Sequence, residues 1–205
     1  GHRPMHYSSG NYSVTAIGRR AGDAAVSGEY ANFIGHSAGF MSSGAVDSNF
    51  IGRQAGLSAQ TSKYVDAMGH TSAQDLVRAT GVTAIGAQSL KGGSGVVYTT
   101  AMGYGAAEAA SGVTKMVAIG YKTATESYDS DYSIFIGNYA GYNESRKYSV
   151  ILNPRPQVSA GDFAGDGTDG VLDVMDLIHG IHYDADDASS TNKVVSIGKT
   201  PSDAS

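Results

Sequence analysis

Small or apolar residues stand in adjacent pairs at a fixed interval along the chain, and a glycine follows each pair. The first member is Ala or Phe and the second is Ile or Met, as in Phe33 and Ile34. The unit occurs eight times at a spacing of seventeen residues, with glycines at Gly18, Gly35, Gly52, Gly69, Gly86, Gly103, Gly120 and Gly137. This strict period predicts a solenoid, in which each repeat forms one coil stacked on the next.

The coils are predicted to contain strands rather than helices. A seventeen-residue period is too short for repeats of two helices, which need about 33 residues or more. The segments between the pairs, such as those at 42–44 and 92–95, are rich in Gly and Ser, which favour turns. The predicted fold class is all-β, a β-solenoid over 11–153, with a lead-in at 1–10 and an acidic, β-rich cap or shaft segment at 154–205.

Each repeat glycine is predicted to take a positive φ or to allow close approach of the backbone. A small residue stands three places later and is expected to pack where successive coils meet. With neighbouring strands about 4.8 Å apart, the eight coils would form a rod of roughly 40 Å.

Both members of each pair are small or apolar, although neighbouring residues of a strand point to opposite faces. A strand that is buried on both faces is apolar throughout. One face can fill the thin core of the coil, and a copy of the same chain is the simplest cover for the other. Because a seventeen-residue coil holds few core side chains, a single stack would also be marginally stable. The sequence therefore predicts self-association.

Composition excludes several classes of function. The 205 residues carry a net charge of -5 without a basic cluster, which argues against nucleic acid as a partner. The chain has no cysteine, so it has neither disulfides nor Cys-based metal or redox sites. No apolar run approaches the roughly 18 residues that span a bilayer, and we expect no membrane insertion.

Several segments resemble repeats of known fibrous proteins. The units AIGRRAG at 16–22, FIGHSAG at 33–39 and FIGRQAG at 50–56 resemble the head repeats of trimeric autotransporter adhesins, although the period of those heads is shorter. The stretches SIFIGNYAGYNES at 133–145 and VVSIGKTPS at 194–202 are similar to repeats of bacteriophage tail fibres.

The resemblance implies a left-handed parallel β-roll that assembles as a homotrimer. It implies a structural and host-surface-binding segment of a trimeric tail fibre in the virion, with a host cell-surface glycan or protein and other tail or fibre proteins as partners. The alternative is the head domain of a trimeric surface adhesin on a bacterial cell. The chain lacks an initial Met and ends within a motif at 201–205, so we expect a fragment of a longer protein.

In a solenoid, equivalent positions stack into columns, and two columns are candidates for surface contacts. The position after each glycine, the post-glycine column, includes Arg19, His36, Arg53, His70, Tyr104 and Tyr121. These residues are candidates to bind a glycan or another anionic polymer; the alternatives are that they keep the rod soluble or bond between subunits. The position five before the glycine carries Tyr30, Tyr64, Tyr98 and Tyr132 in alternate coils, where packing over a smaller neighbour is expected, or stacking on carbohydrate.

The acidic segment contains a partial match to a calcium loop. Asp169, Asp173 and Asp176 fit the second half of such a loop, in which oxygen ligands lie at fixed offsets around a glycine. Two ligand positions of the first half fall on Gly165 and Gly167. A calcium site and a solvated acidic loop both remain open, and no other cofactor is indicated.

No pattern in the repeats is typical of an enzyme. The acidic residues scatter over different positions of the coil and form no paired columns: Asp23, Glu29, Asp47, Asp66 and Asp75. A glycosidase needs two carboxylates across a groove, and no nucleophile–base motif is present. The chain is therefore predicted to have no catalytic activity.

Overall fold

The computed structural model describes residues 4–143, 145, 147–153 and 172–174. Within these residues ten strands form a single sheet in chain order, and every neighbouring pair is parallel. Their bounds are β1 Thr15–Ile17, β2 Asn32–Ile34, β3 Asn49–Ile51, β4 Lys63–Met68, β5 Thr80–Ile85, β6 Thr100–Met102, β7 Val117–Ile119, β8 Ile134–Gly137, β9 Val150–Asn153 and β10 Leu172–Val174. No helix occurs within these described ranges. The predicted all-β solenoid is confirmed.

The register of the sheet follows the sequence repeat. Phe33 pairs with Phe50, and the same offset of seventeen residues joins each strand to the next as far as β8. Between β8 and β9 the offset falls to sixteen, because Phe135 pairs with Ile151. β9 ends at Asn153, directly before Pro154, which has no N–H to donate to a ladder.

Backbone pairing continues around the other walls of each coil. Val26 bridges Ser43, and Glu29 bridges Val46, again one coil apart. The chain turns through residues of positive φ, and one corner lies five places before the repeat glycine, where φ is 50° at Tyr30. This backbone conformation is uncommon for residues other than glycine, asparagine and aspartate.

From β2 to β8 the core consists of the first member of each apolar pair together with small and aliphatic residues from the other walls, such as Leu76, Leu90 and Val113. Phe33, Phe50 and Phe135 are fully buried, as are the alanines that replace Phe in the other coils from β4 to β7. The small residues three places after the repeat glycines are also buried, as predicted: Ala21, Ala38, Ala55, Ser72, Ser89, Ala106, Thr123 and Ala140. The hydroxyl of Ser72 donates to the carbonyl of Ala84 in the next coil at 2.9 Å, which satisfies a polar group inside the core.

The repeat glycines combine both predicted roles. Their φ angles lie between 122° at Gly137 and 139° at Gly69, a region that side-chain-bearing residues rarely adopt. A β-carbon placed on Gly69 would lie 2.5 Å from the carbonyl oxygen of Gly86. The glycine column is therefore a seam where successive coils meet through backbone alone.

Candidate binding and self-association surfaces

The second member of each apolar pair points outward and forms a continuous line along the sheet. This apolar stripe consists of Ile17, Ile34, Ile51, Met68, Ile85, Met102, Ile119 and Ile136. Exposure is 58% at Ile17 and 36% at Ile119, while Ile34 and Ile51 are half-buried. The prediction that the two members of a pair face opposite sides is confirmed, and this chain leaves the outward side uncovered.

The outer sheet face changes character along the rod. In β2 to β4 a polar line runs beside the apolar stripe, where Asn32 Nδ2 donates to Asn49 Oδ1 at 2.7 Å and Asn49 Nδ2 donates to Asp66 Oδ1 at 2.6 Å. In β7 and β8 the same line is apolar, with Val117 and Ile134 in register. The apolar area is therefore widest toward the end of the repeats.

The six predicted binding residues occupy one exposed column, as their spacing requires. In its basic half, Nη1 of Arg53 lies 3.5 Å from Nε2 of His70. In its aromatic half, the rings of Tyr104 and Tyr121 stack with centroids 5.5 Å apart and planes 12° apart. The column is thus a real surface feature, and its role in binding stays a prediction.

Two further tyrosines that the sequence analysis did not single out join this aromatic end. The ring of Tyr139 contacts Tyr121 edge-on at 5.4 Å, and Tyr142 contacts Tyr139 at 5.9 Å. A hydrogen bond with Tyr121 is the main cause that raises the pKa of the Tyr139 hydroxyl above its ordinary value. The high density of tyrosine after Gly137 was the available sequence signal.

Two of the alternate-coil tyrosines, Tyr98 and Tyr132, pack over the preceding coil, as expected, yet remain exposed. A β-carbon on Gly81 would lie 2.6 Å from Cδ1 of Tyr98, so this ring covers the glycine of the preceding coil. Lys115 Nζ lies 4.8 Å from the centroid of the Tyr132 ring, which also stacks on Tyr148 at 5.2 Å. Tyr98 is still 61% exposed, because only one of its faces is covered.

A cleft of about 590 Å³ opens beside the first coils. At its base the buried carboxylate of Asp23 accepts a hydrogen bond from the backbone N–H of Tyr7 at 3.2 Å and one from Arg20 Nε at 3.3 Å. The Arg20 guanidinium lies 4.1 Å from the ring centroid of Phe40. The ion pair at its base is satisfied within the chain, whereas Arg19, which also lines the cleft, has no ion-pair partner among the described residues.

The candidate calcium ligands are largely beyond the described ranges. Asp169 and Asp176 lie outside them, and Asp173 belongs to β10, where its backbone pairs with Ile151. Among the described residues, no group of three metal-ligating side chains comes together. The described part of the chain also contains no helix long and apolar enough to cross a membrane.

Comparison with known proteins adds no relative. No protein-family model matches the chain, and no curated protein matches it significantly. Function is therefore inferred from the repeat, the outer sheet face and the exposed side chains.

Proposed function

We propose that this chain is a structural and host-surface-binding segment of a homotrimeric phage tail fibre, without chemistry of its own. The observation that carries the proposal is the apolar stripe, which places one partly exposed Ile or Met on the outer face of every coil. Covering each of these side chains would contribute about 1 kcal/mol, since full burial of such a side chain is worth roughly 1.5–3 kcal/mol. A copy of the same chain fits because its apolar side chains repeat with the same spacing.

The thin core gives a second reason for assembly. Each coil is only seventeen residues long, so its core holds few side chains: alanine fills the central position in β4 to β7, for example at Ala84, and aliphatic residues such as Leu76 and Leu90 fill the rest. An isolated stack of this kind is expected to be marginal, and a covered outer face adds the missing burial. The number of three copies follows from the resemblance to fibre and adhesin repeats.

Host contact is assigned to partly exposed aromatic side chains near the end of the repeats. Tyr139 and Tyr142 continue the row of aromatic rings that begins with Tyr104 and Tyr121, and both lie outside the post-glycine column. Tyrosine presents a flat apolar face together with a hydroxyl, which suits stacking on a sugar ring. The tail-fibre-like segment at 133–145 includes both tyrosines. The head of a bacterial trimeric adhesin remains the second candidate, favoured by the units at 16–22, 33–39 and 50–56.

The first test is the mass of the protein in solution. Light scattering should give three times the chain mass of 21.1 kDa, and a stable monomer at micromolar concentration would overturn the proposed assembly. The second test is binding of labelled protein to candidate host bacteria. Replacing Tyr139 and Tyr142 by Ala should reduce binding at least tenfold, whereas Tyr128→Ala, an exposed tyrosine on another wall, should not. Equal binding by all variants would remove the assignment of these two tyrosines.

A further inference from the structure

Two exposed columns border the outer sheet face, one at each end of its strands. The pre-strand column lies five residues before each repeat glycine, and the post-glycine column lies one residue after it. The members of the two columns in each coil, taken from the first coil to the eighth, are Ser13 with Arg19, Tyr30 with His36, Asp47 with Arg53, Tyr64 with His70, Gly81 with Ala87, Tyr98 with Tyr104, Lys115 with Tyr121, and Tyr132 with Asn138. The apolar stripe runs between them.

In three of the coils the residues of the two columns are especially suited to a direct contact. In the third coil an acid, Asp47, is matched with Arg53. In the fifth coil, where the pre-strand residue is Gly81, the post-glycine residue is also small. In the seventh coil the pre-strand residue is Lys115 and the post-glycine residue is Tyr121, a pair that can form a cation–π contact.

These matched side chains do not meet within one chain. Six residues of largely extended backbone separate Asp47 from Arg53, a span of up to about 20 Å. Within the described ranges neither side chain forms an ion pair, and Arg53 lies beside His70 of the next coil instead. The complementary groups therefore point to a contact between different copies.

We infer that the pre-strand column of one copy packs against the post-glycine column of the next, at the same coil level. This inference rests on the proposed self-association and adds its geometry: the rods are parallel, in register and related by rotation about an axis along their length. Such a rotation brings one edge of the sheet face against the opposite edge of the neighbour. Antiparallel rods would place Asp47 at a different level from Arg53, and the matching would be lost.

The arrangement also assigns the post-glycine column to contact between subunits. The histidines then lie against tyrosines in the second and fourth coils, and Tyr104 lies against Tyr98 in the sixth. Tyrosine and arginine are the residues most often found in strongly contributing interface positions. The host-contacting tyrosines, Tyr139 and Tyr142, lie outside both columns.

Cysteine crosslinking tests the pairing in the full chain, which has no native cysteine. The double variant Asp47→Cys/Arg53→Cys should be joined between chains by a short bifunctional maleimide, because its linker replaces the length of the removed arginine side chain, whereas a direct disulfide would need β-carbons about 3.5–4.5 Å apart. Three copies would then close into a covalent trimer. Each single variant, and the matched control Asp75→Cys/Arg53→Cys, should give less than a tenth of that product.

A charge exchange gives an independent measure of the same contact. Asp47→Arg and Arg53→Asp should each weaken association about tenfold or more, because like charges then face each other. The combined exchange should recover most of the loss. If the protein is oligomeric by mass but shows neither crosslinking nor recovery, the pairing is wrong and the proposed self-association stands. A monomeric wild-type protein would instead remove the proposed self-association and the pairing with it.

Discussion

The ring of Phe135 occupies the space that a side chain on Gly141 would need. A β-carbon placed on Gly141 would lie 2.6 Å from Cδ1 of Phe135, well inside contact distance. The same exchange of volume recurs where Phe50 faces Gly56. In the coil of β7, where the central residue is Ala118, the corresponding glycine is replaced by a buried alanine, Ala124. The central residue and the residue six places after it thus share the available core space in each of these coils.

This balance predicts strong coupling between Phe135 and Gly141. Gly141→Ala should lower the free energy of unfolding by about 2 kcal/mol through overpacking, and Phe135→Ala should lower it by about 3–5 kcal/mol. The double variant recreates the pair of alanines found in the preceding coil, so its loss should be smaller than the sum by at least about 1 kcal/mol. Denaturant unfolding measures the four proteins, and strict additivity would contradict the prediction. Gly92→Ala, with φ of 71° and no atom within 4 Å, reports the backbone cost alone.

A side chain on the glycine seam should be far more damaging than one at an ordinary turn. Gly69→Ala combines an unfavourable φ of 139° with a β-carbon 2.5 Å from the carbonyl of Gly86, so we expect a loss of about 3 kcal/mol or more. At the control position Gly44, φ is 66° and the nearest atom to an added β-carbon is 3.6 Å away. Thermal unfolding should show a large decrease in Tm for the first variant only. Similar decreases for both would mean that close approach of coils is not the cause.

One corner offers a stabilising substitution. Arg78 is exposed with φ of 53°, and glycine stands at the equivalent position in other coils, at Gly44, Gly95 and Gly112. Arg78→Gly should remove a cost of about 1–2 kcal/mol and lose about 0.5–1 kcal/mol through greater freedom of the unfolded chain. The net gain is up to about 1 kcal/mol. Ser94→Gly, where φ is not positive, should destabilise instead, and a loss in both variants would refute the argument.

The apolar stripe should be sensitive to a single charge. Ile85→Asp places a carboxylate on the outer sheet face, where copies would bring several such charges together, and should weaken association at least about a hundredfold. Val26→Asp is the matched control, because Val26 is an equally exposed aliphatic residue at 41%, compared with 37% for Ile85, but lies on another wall. Mass measured across a dilution series compares the two. Dissociation by both or by neither would argue against the stripe as the interface.

The hydrogen bond between Tyr121 and Tyr139 predicts a shifted titration. The bond raises the pKa of Tyr139, so its stabilising effect is present below the ordinary pKa of tyrosine and is lost as the pH rises through the raised value. Tyrosinate absorbance should therefore contain one group that ionises later than the exposed tyrosines. Tyr121→Phe should return that group toward the ordinary pKa, while Tyr128→Phe should leave it in place. A titration unchanged by Tyr121→Phe would show that the bond does not form in solution.

Several features of the fold follow directly from the sequence. The glycine period places the strands, and the adjacent apolar pairs separate an inward side chain such as Phe50 from an outward one such as Ile51, since successive strand residues alternate. The corners were less predictable. Tyr98 turns the chain with φ of 49°, a conformation that local preference assigns to glycine or asparagine. Its backbone N–H donates to the carbonyl of Thr80 in the preceding coil at 2.8 Å, a contact that local preference does not include.

The aromatic part of the candidate binding surface could be predicted only in part, because some of its contacts join different positions of the coil. Spacing alone brings Tyr104 and Tyr121 together, because equivalent positions of successive coils stack. Tyr139 and Tyr142 join them from different positions of the coil, and such contacts depend on how the chain bends after the glycine. The volume exchange between Phe135 and Gly141 likewise acts across the coil rather than along the strand.

The direction of the hydrogen bonds between coils has a mechanical consequence. Gly52 donates to the carbonyl of Ile34 at 2.8 Å, one coil away, and the other walls repeat this pattern. These bonds therefore run along the axis of the rod, so a pull on its ends would load them in line and open one coil at a time. Resistance to stretching would then depend on the side-by-side contact of neighbouring rods, where a pull acts as shear on many side chains at once.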